Sequence, residues 1–103
     1  MAESSEDEFL VQNNRAEGRY EAVVGDELAG FVTYEPSGDQ IIFLHTLVEP
    51  AFEGKGVGGR LAKAALDDVR AHGHTVIAKC PFINEYIQRH PAYADLLATG
   101  AQG

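Results

Sequence analysis

Apolar and polar residues alternate through most of the first half of the chain, and the spacing of apolar residues changes to three and four after position 56. Phe9 to Gln12 reads as a first short strand, followed by turn chemistry in Asn13-Asn14-Arg15-Ala16-Glu17-Gly18. Tyr20, Ala22 and Val24 then alternate with Arg19, Glu21 and Gly25, the period of a half-exposed strand. Gly25-Asp26-Glu27 predicts a tight hairpin, Leu28 to Tyr34 a third strand, and Glu35 to Asp39 a further turn marked by Pro36 and Gly38. Gln40 to Val48 differs, because Ile41, Ile42, Phe43, Leu44, Leu47 and Val48 are apolar at both parities; this strand is expected to be central and covered on both faces.

Pro50 ends that strand. Val57, Leu61, Ala62, Ala65, Leu66 and Val69 then trace one face of an amphipathic helix, with Gly73 as its stop after His72. Thr75 to Cys80 predicts a fifth strand broken by Pro81, and Ile83, Tyr86 and Ile87 a short second helix ending before Pro91. The segment 91–97 is amphipathic and its pattern assigns it to no single element. The order is β-β-β-β-α-β-α, an α+β fold with a mixed sheet whose strands four and five run parallel across a helical connection.

A chain of 103 residues accommodates one domain, placed at 9–97. Ser5 and Glu8 have capping-box spacing, but no helical period follows them, so residues 1–8 are expected as a flexible acidic tail and 98–103 as a frayed end. The single cysteine cannot close an internal disulfide, and no Cys/His cluster has metal-site spacing, so a reducing compartment and no metal are expected. A formal charge of −8 argues against nucleic acid or an anionic membrane as partner. The acidic N-terminus lacks the apolar region of a signal peptide, and no run is long enough to span a bilayer, which points to the cytoplasm. Charge is uneven, however: residues 1–53 hold twelve acids and two bases, whereas 54–103 hold four acids and six bases. An anionic ligand would favour the second half.

That half contains Gly54-Lys55-Gly56-Val57-Gly58-Gly59-Arg60 between a strand and a helix. Glycines there allow close backbone approach, and the amides at a helix start attract phosphate, assisted by the charges of Lys55 and Arg60. Lys55 precedes Gly56 rather than Ser or Thr, which argues against a nucleotide-hydrolysing P-loop. Gly54-x-Gly56-x-x-Gly59 fits a dinucleotide fingerprint, but the next strand ends Ala78-Lys79-Cys80 without the required acid. The alternative is a loop that serves only as a tight turn.

The segment Val48 to Gly58 resembles the acetyl-coenzyme A loop of the GNAT superfamily of N-acetyltransferases. His45-Thr46, Leu61 to Leu66, Cys80-Pro81-Phe82-Ile83, Tyr86 and His90-Pro91 are similar to a small single-domain subfamily, the likeness covering about residues 41–97. The resemblance implies a GNAT-like sheet with strands four and five splayed and acetyl-CoA as cofactor. It implies backbone bonds to the cofactor's arm at Leu47 and Val48, and a diphosphate-binding loop made of Glu53, Gly54, Lys55, Gly56, Val57, Gly58, Gly59 and Arg60 that acts mainly through backbone N–H groups. Two departures stand out: Glu53 replaces the superfamily's Arg or Gln, and a short turn replaces the helices that larger members insert between strands one and two.

By the same resemblance His45 and Cys80 flank the thioester and Tyr86 is a general acid. Freeing the lone pair of an amine of ordinary pKa at pH 7 costs about 4.6 kcal/mol, so a base there has work to do. His45 fits that role by pKa, or is a buried core residue sharing a face with Ile41, Phe43 and Leu47. Cys80 is a nucleophile, a proton donor to the leaving thiolate, or a buried thiol, and Tyr86 an acid or a packing residue. His72 and His74 are expected to face solvent. The expected function is acetyl transfer to a small-molecule or peptide amine by a monomer or weak homodimer, the alternative being a CoA-binding sensor or partner-binding module without turnover.

Overall fold

The computed structural model describes residues 10–97. Five strands form one sheet in sequence order: β1 (Leu10–Asn14), β2 (Arg19–Val24), β3 (Glu27–Ser37), β4 (Gln40–Val48) and β5 (Thr75–Ala78). The first four are antiparallel neighbours, and β5 lies parallel to β4. Helix α1 (Val57–Ala71) forms the crossover between them, and α2 (Pro81–Arg89) follows β5. No helix among the described residues is long and apolar enough to cross a membrane. Residues 1–9, with Phe9 and the acidic tail, and 98–103 lie outside the described part.

The six apolar positions that predict a helix face are the six residues α1 buries: Val57, Leu61, Ala62, Ala65, Leu66 and Val69. They pack with Ala22, Val32, Phe43 and Val76 from the sheet and with Ile83 and Ile87 from α2. Gly73, at φ +73°, supplies the left-handed residue that ends α1.

Several boundaries move for reasons that lie in tertiary contacts. Asn13 and Asn14 belong to β1 rather than to the turn: Asn14 donates to Glu21 Oε2 at 3.0 Å, and Asn13 Oδ1 accepts from the Tyr34 hydroxyl. β3 continues through Glu35 and Pro36 to Ser37, leaving Gly38-Asp39 as the turn, because β2 stops pairing at Thr33 and a missing N–H costs little on that uncovered edge. β5 ends at Ala78 instead of Cys80, since Cys80 precedes Pro81 as the α2 N-cap. Segment 91–97 resolves into a 3₁₀ turn, Pro91–Leu96, followed by a bridge from Leu97 to Val76.

β4 is central, but it is not covered on both faces. Ile41 and Phe43 are buried under the helices, whereas Ile42 and Leu44 are half-buried and Leu47 is 42% exposed. The pairing with β3 also slips: Tyr34 opposes Phe43, but Thr33 opposes His45, so β4 carries one extra residue, Leu44. Such a bulge reverses which parity faces inward.

Candidate active site

Parallel pairing of β4 with β5 runs from Gln40↔Thr75 to Phe43↔Ala78 and stops. One further bond, from the Cys80 amide to the Phe43 carbonyl at 2.9 Å, holds the chain before Pro81 turns it into α2. From Leu44 to Val48, β4 therefore presents its outer edge without a strand partner among the described residues. The expected splay is present.

α1 starts where β4 finishes. A 3₁₀ turn, Pro50–Phe52, leads to exposed Glu53, and Gly54 and Gly56 follow at φ +83° and +80°. Gly56 is the N-cap, no side chain caps the helix, and its first turn carries no acid. The first intrahelical bond is Arg60 N–H to the Gly56 carbonyl at 3.1 Å, which leaves the amides of Val57, Gly58 and Gly59 without a carbonyl inside the helix. A Cβ on Gly54, Gly56 or Gly59 would meet no atom within 4 Å, so the space above these backbones is open. This arrangement suits a phosphate; Lys55 in the loop and Arg60 on the first turn of α1 are exposed cations of the same segment. Glu53 sets one negative charge at the same rim.

Two close approaches fix the loop. Gly30 lies where a Cβ would stand 2.7 Å from the Leu47 carbonyl oxygen and 3.1 Å from Val57 Cγ1. It is the residue that lets β3, β4 and the head of α1 meet, and a glycine inside a strand pattern is the signal that could have found it. Gly58 similarly faces the Phe82 ring, 2.9 Å from a Cβ placed there. Phe82 and Tyr86 line a groove of about 250 Å³ together with Gly59, Glu85, Arg89 and His90. The structure thus brings Tyr86 beside the start of α1, its ring stacked on His90 at 4.0 Å.

The bulge decides where the other candidates go. Thr46 and Val48, not His45, turn toward the helices: Thr46 Oγ1 lies 3.0 Å from Cys80 Sγ, and Val48 packs on the core. Cys80 is 1% exposed. His45 is exposed, does not share a face with Ile41 and Phe43, and has its backbone N–H bonded to Thr33 Oγ1 at 3.2 Å. Its reading as a buried core histidine is therefore overturned. Leu47 shares His45's outward face, exposed at the splayed edge. Thr46 is the residue that pattern reading passed over. His72 is exposed as expected, but His74 is half-buried, with Nδ1 shielded from solvent and unpartnered among the described residues.

The pattern of the GCN5-related N-acetyl-transferase family matches residues 19–96, well over half of the chain. The chain belongs to this family. It is similar in fold to a GCN5-like protein from Staphylococcus aureus solved by NMR, with a TM-score of 0.67, 25% identity, and coverage of 86% of this chain and 87% of that one. Human protein NATD1 is 39% identical over 64 residues, which cover 56% of this chain and 52% of that protein. A mycothiol acetyltransferase from Thermobispora bispora is 54% identical over 43 residues, 42% of this chain but 14% of that protein. The chain thus spans about half the length of the NATD1 relatives it matches. Within this GCN5-related domain, the matched region contains the splayed strands, the glycine loop and Cys80 together.

Proposed function

We propose that this domain binds acetyl-CoA and transfers the acetyl group to an amine. The observation that carries the reading is the coincidence of two features: β4 and β5 part after Phe43, and the uncapped start of α1 lies at the mouth of the gap. The amides of Val57, Gly58 and Gly59 would hold the diphosphate, with Gly54 and Gly56 keeping the backbone bare and Lys55 and Arg60 contributing charge. The unpaired edge at Leu47 and Val48 would bond the cofactor's amide-bearing arm, as an added strand does. When bound, acetyl-CoA supplies a thioester as acyl donor.

The chain's own residues have four tasks there. Backbone groups of β4 orient the arm; the wall made by Thr46 and Cys80 excludes water on the inner side. His45, exposed on the outer side, would accept a proton from an incoming ammonium, and Tyr86 or Cys80 would return one to the departing thiolate. Glu53 and the short turn between β1 and β2 support a second reading, a CoA-binding module without turnover.

Calorimetric titration with CoA and acetyl-CoA tests the cofactor site; no saturable heat at millimolar ligand refutes it. Thiol release with a panel of amines, for the wild type, His45→Ala and Cys80→Ala, separates transfer from binding alone. A wild type that binds CoA yet releases no thiol above the uncatalysed rate supports the second reading. If both variants turn over like the wild type, neither side chain has the role given.

A further inference from the structure

A second pocket, of about 250 Å³, lies at the opposite end of the sheet from the glycine loop. The β1–β2 turn, the base of the β3–β4 hairpin and the last turn of α1 enclose it. Ile41, in its wall, pairs with Val76 inside the closed stretch of β4 and β5, so this pocket is separate from the splayed gap.

Its floor is apolar. Tyr20 and Tyr34 pack with ring centroids 5.1 Å apart beside Ile41 and Pro36. Two acceptors beside that floor hold short bonds: the Tyr20 hydroxyl donates to Asp68 Oδ2 at 2.7 Å, and the Tyr34 hydroxyl donates to Asn13 Oδ1. Asp68 Oδ1 lies 3.4 Å from His72 Nδ1. The donors are less committed. Arg15, at the rim, joins none of the ion pairs among the described residues. His72 uses Nδ1 locally, at 2.8 Å from the Asp68 carbonyl, and keeps its other ring nitrogen. In a chain of formal charge −8, this pocket gathers a guanidinium and two imidazoles around one carboxylate that is already hydrogen-bonded.

We infer that this pocket binds a small organic carboxylate with a compact apolar body, its ring against Tyr20 and Tyr34 and its carboxylate on Arg15. A guanidinium matches a carboxylate with two parallel hydrogen bonds, and the apolar floor selects against a bare inorganic anion. A ligand cation would face the fixed positive charge of Arg15 at the rim.

The full chain has four tyrosines and no tryptophan, two of the tyrosines forming this floor, so tyrosine emission reports occupancy. Sodium benzoate is titrated at constant ionic strength, with benzylamine and benzyl alcohol as ring-matched probes. Saturable binding of benzoate in the millimolar range is expected, with benzylamine at least tenfold weaker. Arg15→Gln is expected to weaken benzoate at least tenfold, the loss of the two-bonded charge-assisted pair, and Arg15→Lys to retain part of it. Saturating CoA is expected to leave the benzoate affinity unchanged. The inference is overturned if benzoate does not saturate, if Arg15→Gln binds it like the wild type, if benzylamine binds better, or if CoA competes with it.

Discussion

Replacing Gly56 with valine tests whether the backbone of the glycine loop is what receives the diphosphate. Gly56 is the α1 N-cap at φ +80°, and a Cβ there meets nothing within 4 Å. The stability cost is thus conformational rather than steric: about 1–2 kcal/mol for a side chain in the left-handed region, and more for a β-branched one. In a domain of this size that lowers Tm by roughly 5–15 °C. Gly59→Ala is the contrasting variant. Gly59 lies within α1, outside the left-handed region and with open space above it, so alanine should raise stability by up to about 1 kcal/mol. Calorimetric unfolding gives both stabilities, and CoA titration below Tm gives both affinities. Gly56→Val is expected to bind CoA at least tenfold more weakly. A folded Gly56→Val protein with wild-type affinity would refute the proposed backbone approach, and a less stable Gly59→Ala protein would refute the account of the helix start.

Gly30→Ala places a Cβ 2.7 Å from the Leu47 carbonyl, a backbone atom that cannot swing aside; a loss of about 1–3 kcal/mol by urea unfolding is expected, and an unchanged midpoint contradicts it. Burial, followed by the bond to Asp68, lifts the Tyr20 hydroxyl far above the usual tyrosine pKa near 10. Stability from this group is whole below pH 10 and falls as pH rises further, because the unfolded chain ionises first; Tyr20→Phe should flatten that alkaline limb of the Tm profile. Arg19, with Asn14 and Gln12, holds the Glu21 carboxyl below its ordinary range against the opposing effect of burial. Its contribution is whole above the unfolded carboxyl range and is lost as pH falls from about 5, so Glu21→Gln should lessen the acid-side drop in Tm.

The helix face of α1 and the loop before it were legible because both depend on local spacing: six apolar positions at helical period, and glycines between a strand and a helix. What sequence pattern could not carry was a single extra residue. Burial along β4 alternates through Phe43 although its sequence is apolar at both parities, and only pairing with β3 reveals Leu44 as the bulge that puts Thr46 inside and His45 outside. Asn13 and Asn14 read as turn residues because their partners, Tyr34 and Glu21, are brought in by tertiary folding. Pro36 reads as a strand stop, yet it lies where no neighbour asks for its N–H. The acidic pairing of Tyr20 with Asp68 joins residues 48 apart and has no local signature.

The bulge also bears on the order of the proposed chemistry. Transfer through an acyl-enzyme needs a base within about 2.6–3.2 Å of the nucleophile. His45 is exposed on the outer face of β4, whereas Cys80, the α2 N-cap, packs against Thr46 on the inner face, and that Thr46 hydroxyl beside the thiol does not act as a base near neutral pH. Cys80 is moreover 1% exposed, an environment that offers an incoming acyl group little access. Direct attack by the amine on the thioester, with both substrates bound together, makes no such demand: His45 takes the proton from the solvent side while the inner wall stays closed. Initial rates measured over a grid of acetyl-CoA and amine concentrations should accordingly give intersecting double-reciprocal lines, and Cys80→Ser should retain acetyl transfer. Parallel lines, accompanied by a 42-Da adduct on Cys80 after incubation with acetyl-CoA alone, would show that the thiol is reached and acylated, and that the two faces of β4 cooperate.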